Sequence, residues 1–60
     1  MPSDINLPYV LTFKETQEFL HIGRNLLLDL IHSGEIPAFM VGNKWRMRSV
    51  DLLEFIENQI

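Results

Sequence analysis

L-T-F-K-E-T-Q-E-F-L-H-I-G-R-N-L-L-L-D-L-I-H-S-G, running from Leu11 to Gly34, holds two helix signals separated by one interruption. Thr12 stands just before an apolar-periodic run and three residues ahead of Glu15. In such a capping box the Thr hydroxyl accepts the Glu backbone N–H while the Glu carboxylate reaches back to the Thr N–H. A helix over about Phe13 to Leu20 follows, with Phe13, Thr16, Phe19 and Leu20 near one face. His21-Ile22-Gly23 breaks the period before Leu27, Leu30 and Ile31 resume it, which predicts a second helix over about Arg24 to Ser33. Gly34 is expected to stop that helix in the left-handed conformation. Two short helices joined by about three residues that include a Gly make a helix-turn-helix pattern.

Upstream, residues 1–9 have no helical period and carry Pro2 and Pro8, so they read as an extended arm. Tyr9, Val10 and Leu11 are expected to dock it onto a domain spanning 10–60. After Gly34 the period changes: Ile36 to Val41, the pair Gly42-Asn43 and Lys44 to Arg48 read as strand, turn and strand. Phe39, Val41, Trp45 and Met47 are expected on an apolar face against the helices, with Phe39 and Trp45 in the core and Lys44, Arg46 and Arg48 exposed on the other face. Pro37 cannot donate to a ladder and marks an edge or entry position. Ser49 is expected to cap a last helix over about Val50 to Gln59, with Leu52, Phe55, Ile56 and Ile60 inward and Asp51 at the positive helix start. The expected fold is mostly α with a small β-hairpin, a winged helix-turn-helix.

The 60 residues suffice for one domain, and a chain of this size buries only about 60% of the surface it exposes unfolded. An apolar fraction of 47% is ordinary for a folded domain and argues against disorder. With no Cys, neither a disulfide framework nor a Cys-based zinc site holds the fold, and a reducing, cytoplasmic setting is compatible with that. No apolar run approaches a membrane span, so a soluble chain without a membrane partner is expected. The net charge is −3, yet it is unevenly spread. Residues 1–37 carry two cations against five acids, residues 38–48 carry Lys44, Arg46 and Arg48 with no acid, and residues 49–60 carry three acids alone. The basic segment is open to two readings, a solvated surface or a contact for an anionic partner.

Five stretches carry a resemblance: L-T-F-K-E at Leu11 to Glu15, F-L-H-I-G at Phe19 to Gly23, S-G-E-I-P-A-F at Ser33 to Phe39, V-G-N-K-W-R-M at Val41 to Met47 and S-V-D-L-L-E-F-I at Ser49 to Ile56. In this order and spacing they resemble the excisionase-type branch of the MerR-like winged helix-turn-helix domains. The resemblance implies a non-catalytic protein that binds double-stranded DNA, with its second helix in the major groove and its wing on the neighbouring backbone. Its members act as recombination directionality or architectural factors or as transcriptional regulators. The implied partners are DNA, an integrase or recombinase, and another copy on an adjacent site; the implied setting is the cytoplasm of a bacterium, or a phage or mobile element. The resemblance places Arg24, Asn25, Leu26, Leu28, Asp29 and His32 on or around the recognition surface, and Asn43, Lys44, Arg46 and Arg48 on the wing. Lys14, near the start of the first helix, is one more candidate. Arg can fork onto guanine and Asn can pair with adenine, whereas the wing cations suit phosphate. For Asn25 the alternative is local capping of the second helix.

The chain also departs from the family pattern. Leu26, Leu28 and Asp29 stand where Thr or Ser, Tyr, and a basic residue are usual, and Met40 stands where the first wing strand is often basic. An alternative function follows, a protein-interaction module that keeps the fold and has lost DNA binding, with Leu28 and Met40 as contacts. Leu26 or Leu28 covering a small core from the side is the plainer reading of either residue. Catalytic and metal sites are not expected. His21 and His32 are eleven apart, outside the i, i+4 spacing of a helical metal pair, and no Gly-rich phosphate loop is present. His32, in the last helical turn, suits the helix dipole or a phosphate. Neither a cofactor nor a small-molecule substrate is expected.

Overall fold

The computed structural model describes residues 7–60; most of the expected arm lies outside the described residues. The elements run β1 (Val10–Thr12), α1 (Phe13–Leu20), α2 (Arg24–His32), β2 (Phe39–Val41), β3 (Lys44–Arg48) and α3 (Ser49–Gln59). Both halves of the expected capping box are present: the Glu15 N–H donates to Thr12 Oγ1 at 3.0 Å and the Thr12 N–H donates to Glu15 Oε1 at 2.9 Å. Beyond α2, Gly34 takes φ +85°. Its N–H donates to the Ile31 carbonyl and the Glu35 N–H donates to the Leu30 carbonyl, the paired bonds of a Schellman stop.

The expected hairpin is present and β1 extends it. The three antiparallel strands lie in the order β1-β3-β2, with Leu11 opposite Met47 and Met40 opposite Trp45. Directly paired residues share a face of a sheet. Gly42 and Asn43 form the two-residue turn, Gly42 at φ +65°, and this turn sets Val41 against Lys44 and Phe39 against Arg46. Phe39 and Val41 therefore share the face of the cations rather than that of Trp45 and Met47. They are 42% and 54% exposed, and the expectation that Phe39 lies in the core is corrected. The three apolar residues of β2 fit either phase, and the turn selects the register that a one-residue slip would invert.

Two expectations for α3 also change. Arg48, not Ser49, is the N-cap; Ser49 is the first helical residue, is buried, and donates its N–H to the Tyr9 carbonyl at 2.9 Å. Ile60, at 99% exposure, lies past the end of the helix and outside the core.

The core is small and shared. Leu11, Leu27, Ile36, Met47 and Leu52 are buried, coming in turn from β1, α2, the α2–β2 connection, β3 and α3. Buried Thr16 represents α1, and its hydroxyl donates to the Thr12 carbonyl at 2.9 Å, so its polar group is satisfied. Phe13, Phe19, Leu20, Ile22, Leu30, Ile31, Trp45 and Phe55 pack around this centre. The centre of the core thus draws one side chain from each of β1, α2, β3 and α3 and one from the α2–β2 connection. Leu27→Ala should lower unfolding free energy by about 2–5 kcal/mol in urea titrations, whereas Leu26→Ala, at a side chain 50% exposed on the same helix, should cost less than about 1 kcal/mol.

Candidate nucleic-acid interface

Three residues separate the first two helices. His21 closes α1 in the left-handed conformation at φ 58°, and the His21 and Ile22 N–H groups both donate to the Gln17 carbonyl. Gly23 then forms the N-cap of α2 in an extended conformation with no side-chain bond to the helix. Asn25 is exposed and makes no capping bond, so the local capping alternative for it is not realised.

This turn brings the starts of α1 and α2 beside the wing. An open cleft of about 360 Å³ is lined by Thr12, Phe13, Lys14, Arg24, Asn43, Lys44, Trp45 and Arg46. Four of the chain's five cations converge there, and no carboxylate lines it. The Arg24 guanidinium lies over the Phe13 ring, 5.5 Å from its centroid. Arg46 is half-buried and one of its Nη atoms donates to the Trp45 carbonyl at 2.9 Å.

Arg48 stands apart from this group. Its Nε and an Nη donate to the two oxygens of Asp51 at 2.9 and 3.0 Å, a forked pair at the start of α3. The hydrogen-bonded Asp51 carboxylate raises the Arg48 pKa above its ordinary value.

The remaining candidates lie elsewhere. Asn25, Leu26 and Asp29 are exposed on α2 without lining the cleft, and Leu28 is half-buried. His32 meets Trp45 edge-on, with ring centroids 6.3 Å apart and planes at 66°. Met40, opposite Trp45, is 52% exposed at the sheet edge. Thr12, Phe13 and Trp45 belong to the cleft although none is cationic. For Trp45 the expected core position is half met, since it packs on the core and also lines the cleft. Among the described residues no group of three or more His, Cys, Asp or Glu side chains is placed to hold a metal ion, and no helix is long and apolar enough to cross a membrane.

A family model described as a helix-turn-helix domain matches residues 10–60. The chain belongs to this excisionase-like helix-turn-helix family. No curated protein and no solved structure gave a significant match. The three helices and small antiparallel sheet agree with a winged helix-turn-helix, and a helix-turn-helix domain points to binding of double-stranded DNA.

The bare start of α2 in this helix-turn-helix protein has a measurable consequence. Gly23 has φ −81° and ψ 172°, and a Cβ there would meet nothing within 4 Å. Gly23→Ser should therefore stabilise the fold by about 0.5–1 kcal/mol, by adding a cap and restricting the unfolded chain, as read from the midpoint of urea unfolding.

Proposed function

We propose that this domain is a sequence-specific, non-catalytic DNA-binding protein of excisionase type, acting as a recombination directionality or architectural factor or as a small transcriptional regulator. The observation that carries the reading is the convergence of Lys14, Arg24, Lys44 and Arg46 on one cleft without a carboxylate, in a chain whose net charge is −3. In this reading α2 enters the major groove and the β2–β3 wing follows the adjacent backbone. Arg24 and Asn25 face base edges, with Asp29 one turn further along α2 able to accept from a cytosine amino group. Lys14, Asn43, Lys44 and Arg46 take phosphate oxygens and set the position of the domain without carrying sequence information. Arg48 contributes little, because the Asp51 carboxylate offsets its charge and takes two of its donors. His32 sits beside Trp45 and contacts the backbone only if the duplex reaches the end of α2. A lone domain of this size makes an interface of roughly 600–1,000 Å², so strong occupancy needs a second copy on an adjacent site or a protein partner such as an integrase.

A second reading, contact with a protein, is favoured by β2, whose Phe39, Met40 and Val41 are all exposed at a sheet edge. It is compatible with DNA binding, since β2 contributes no side chain to the cleft.

Titration of the domain with labelled duplex tests the main reading. Binding at ~50 mM salt should weaken as salt rises with a log–log slope of roughly −3, as expected for the three cations Lys14, Lys44 and Arg46 on phosphates. Absence of binding at that salt would leave only the protein-contact reading. Lys44→Ala should make the slope shallower by about 0.9, while Arg48→Ala should leave it unchanged.

A further inference from the structure

We propose that Phe13 is a specificity-determining residue that acts through Arg24: its ring holds the guanidinium in the orientation that reads a base. The inference rests on the reading of Arg24 as a base contact.

The three arginines of the chain differ in how they are held. Arg46 is tied to the Trp45 carbonyl and Arg48 to the Asp51 carboxylate. Arg24 has no hydrogen bond or ion pair among the described residues, and its one specific contact is the Phe13 ring at 5.5 Å. The ring bounds the guanidinium on one side, and since no N–H donor of Arg24 is engaged by a hydrogen bond among the described residues, the donors are free to fork onto guanine O6 and N7. Gly23, which precedes Arg24 at the N-cap, has no side chain to offer it a contact.

Phe13 is well placed for the task. It is the first residue of α1, directly behind the capping box of Thr12 and Glu15, and it packs against the core. The ring is therefore anchored from two sides. A long side chain held in one arrangement has less conformational freedom to lose on binding, and the benefit falls on the base that Arg24 contacts.

The test uses a duplex library with a randomised core. Comparison of wild type with Arg24→Ala locates the base pair whose preference depends on Arg24. Phe13→Leu should then reduce discrimination at that base pair by roughly two- to tenfold and leave preferences elsewhere unchanged. Added to Arg24→Ala, it should cause no further loss of discrimination. Phe13→Tyr, which keeps the ring, should restore the preference. Pentafluorophenylalanine at position 13 covers the case in which Phe13→Leu fails to fold: it keeps the shape but reverses the ring quadrupole, and it should reproduce the loss. An upfield ring-current shift of the Arg24 side-chain protons, lost in Phe13→Leu, reports the stack without DNA. Uniform weakening at all positions, or an Arg24-dependent preference indifferent to position 13, overturns the proposal while leaving the DNA reading intact. Failure of the wild type to bind duplex at all overturns both.

Discussion

The rest of the structure hangs on Thr12, where a strand becomes a helix in a single step. Its hydroxyl accepts the Glu15 N–H, its own N–H donates to the Glu15 carboxylate, and its carbonyl accepts the Thr16 hydroxyl. At the same time it is the last residue of β1 and pairs with Arg46 of β3. One residue thereby fixes the angle between the sheet and α1. That corner decides where Phe13 and Lys14 emerge relative to the wing, and so where the cleft forms.

The central strand β3 then serves both sides of the molecule. Met47 is fully buried and Trp45 is half-buried on one face, while Lys44, Arg46 and Arg48 alternate with them on the other. Strand pleating alone separates core from cation. Two of the acids are already engaged: Glu15 closes the capping box and Asp51 grips Arg48. A chain that is acidic overall can in this way keep one concave region basic, since two of its carboxylates are directed at other donors. Total charge is a poor guide here, and its placement decides the chemistry.

The economy of the core limits what the surface can carry. Five buried apolar side chains, each from a different part of the chain, form the centre, and partly buried residues of the helices and of β3 pack around it. The edge strand β2 has none, and its three apolar residues are exposed although their composition reads as core. Small domains bury a low fraction of their surface, so apolar residues at an edge are a predictable consequence of size. The cations of the wing sit on the same face, which keeps this edge from being uniformly apolar.

The helix start at Thr12, the left-handed stop at Gly34, the hairpin turn at Gly42-Asn43 and the family were legible because each depends on residues close together in sequence, where hydrogen-bond geometry and allowed backbone angles act directly. The third strand was read only as a docked arm, since pairing between Val10–Thr12 and Arg46–Arg48 is remote in the chain. The phase of β2, the engagement of Arg48 by Asp51 and the burial of Ser49 were also not apparent, because alternation does not state which face meets the core and composition does not state which ions meet. Of the cleft, the cations could be listed from the sequence; their convergence could not, nor could Phe13 beneath Arg24. Local propensity and capping, readable along the chain, set the order and type of the three helices and the hairpin, but not the strand β1 or the starts of β2 and α3. Only the tertiary structure decided which charges gather, which cancel and which aromatic ring lies under an arginine, because those depend on contacts between residues far apart along the chain.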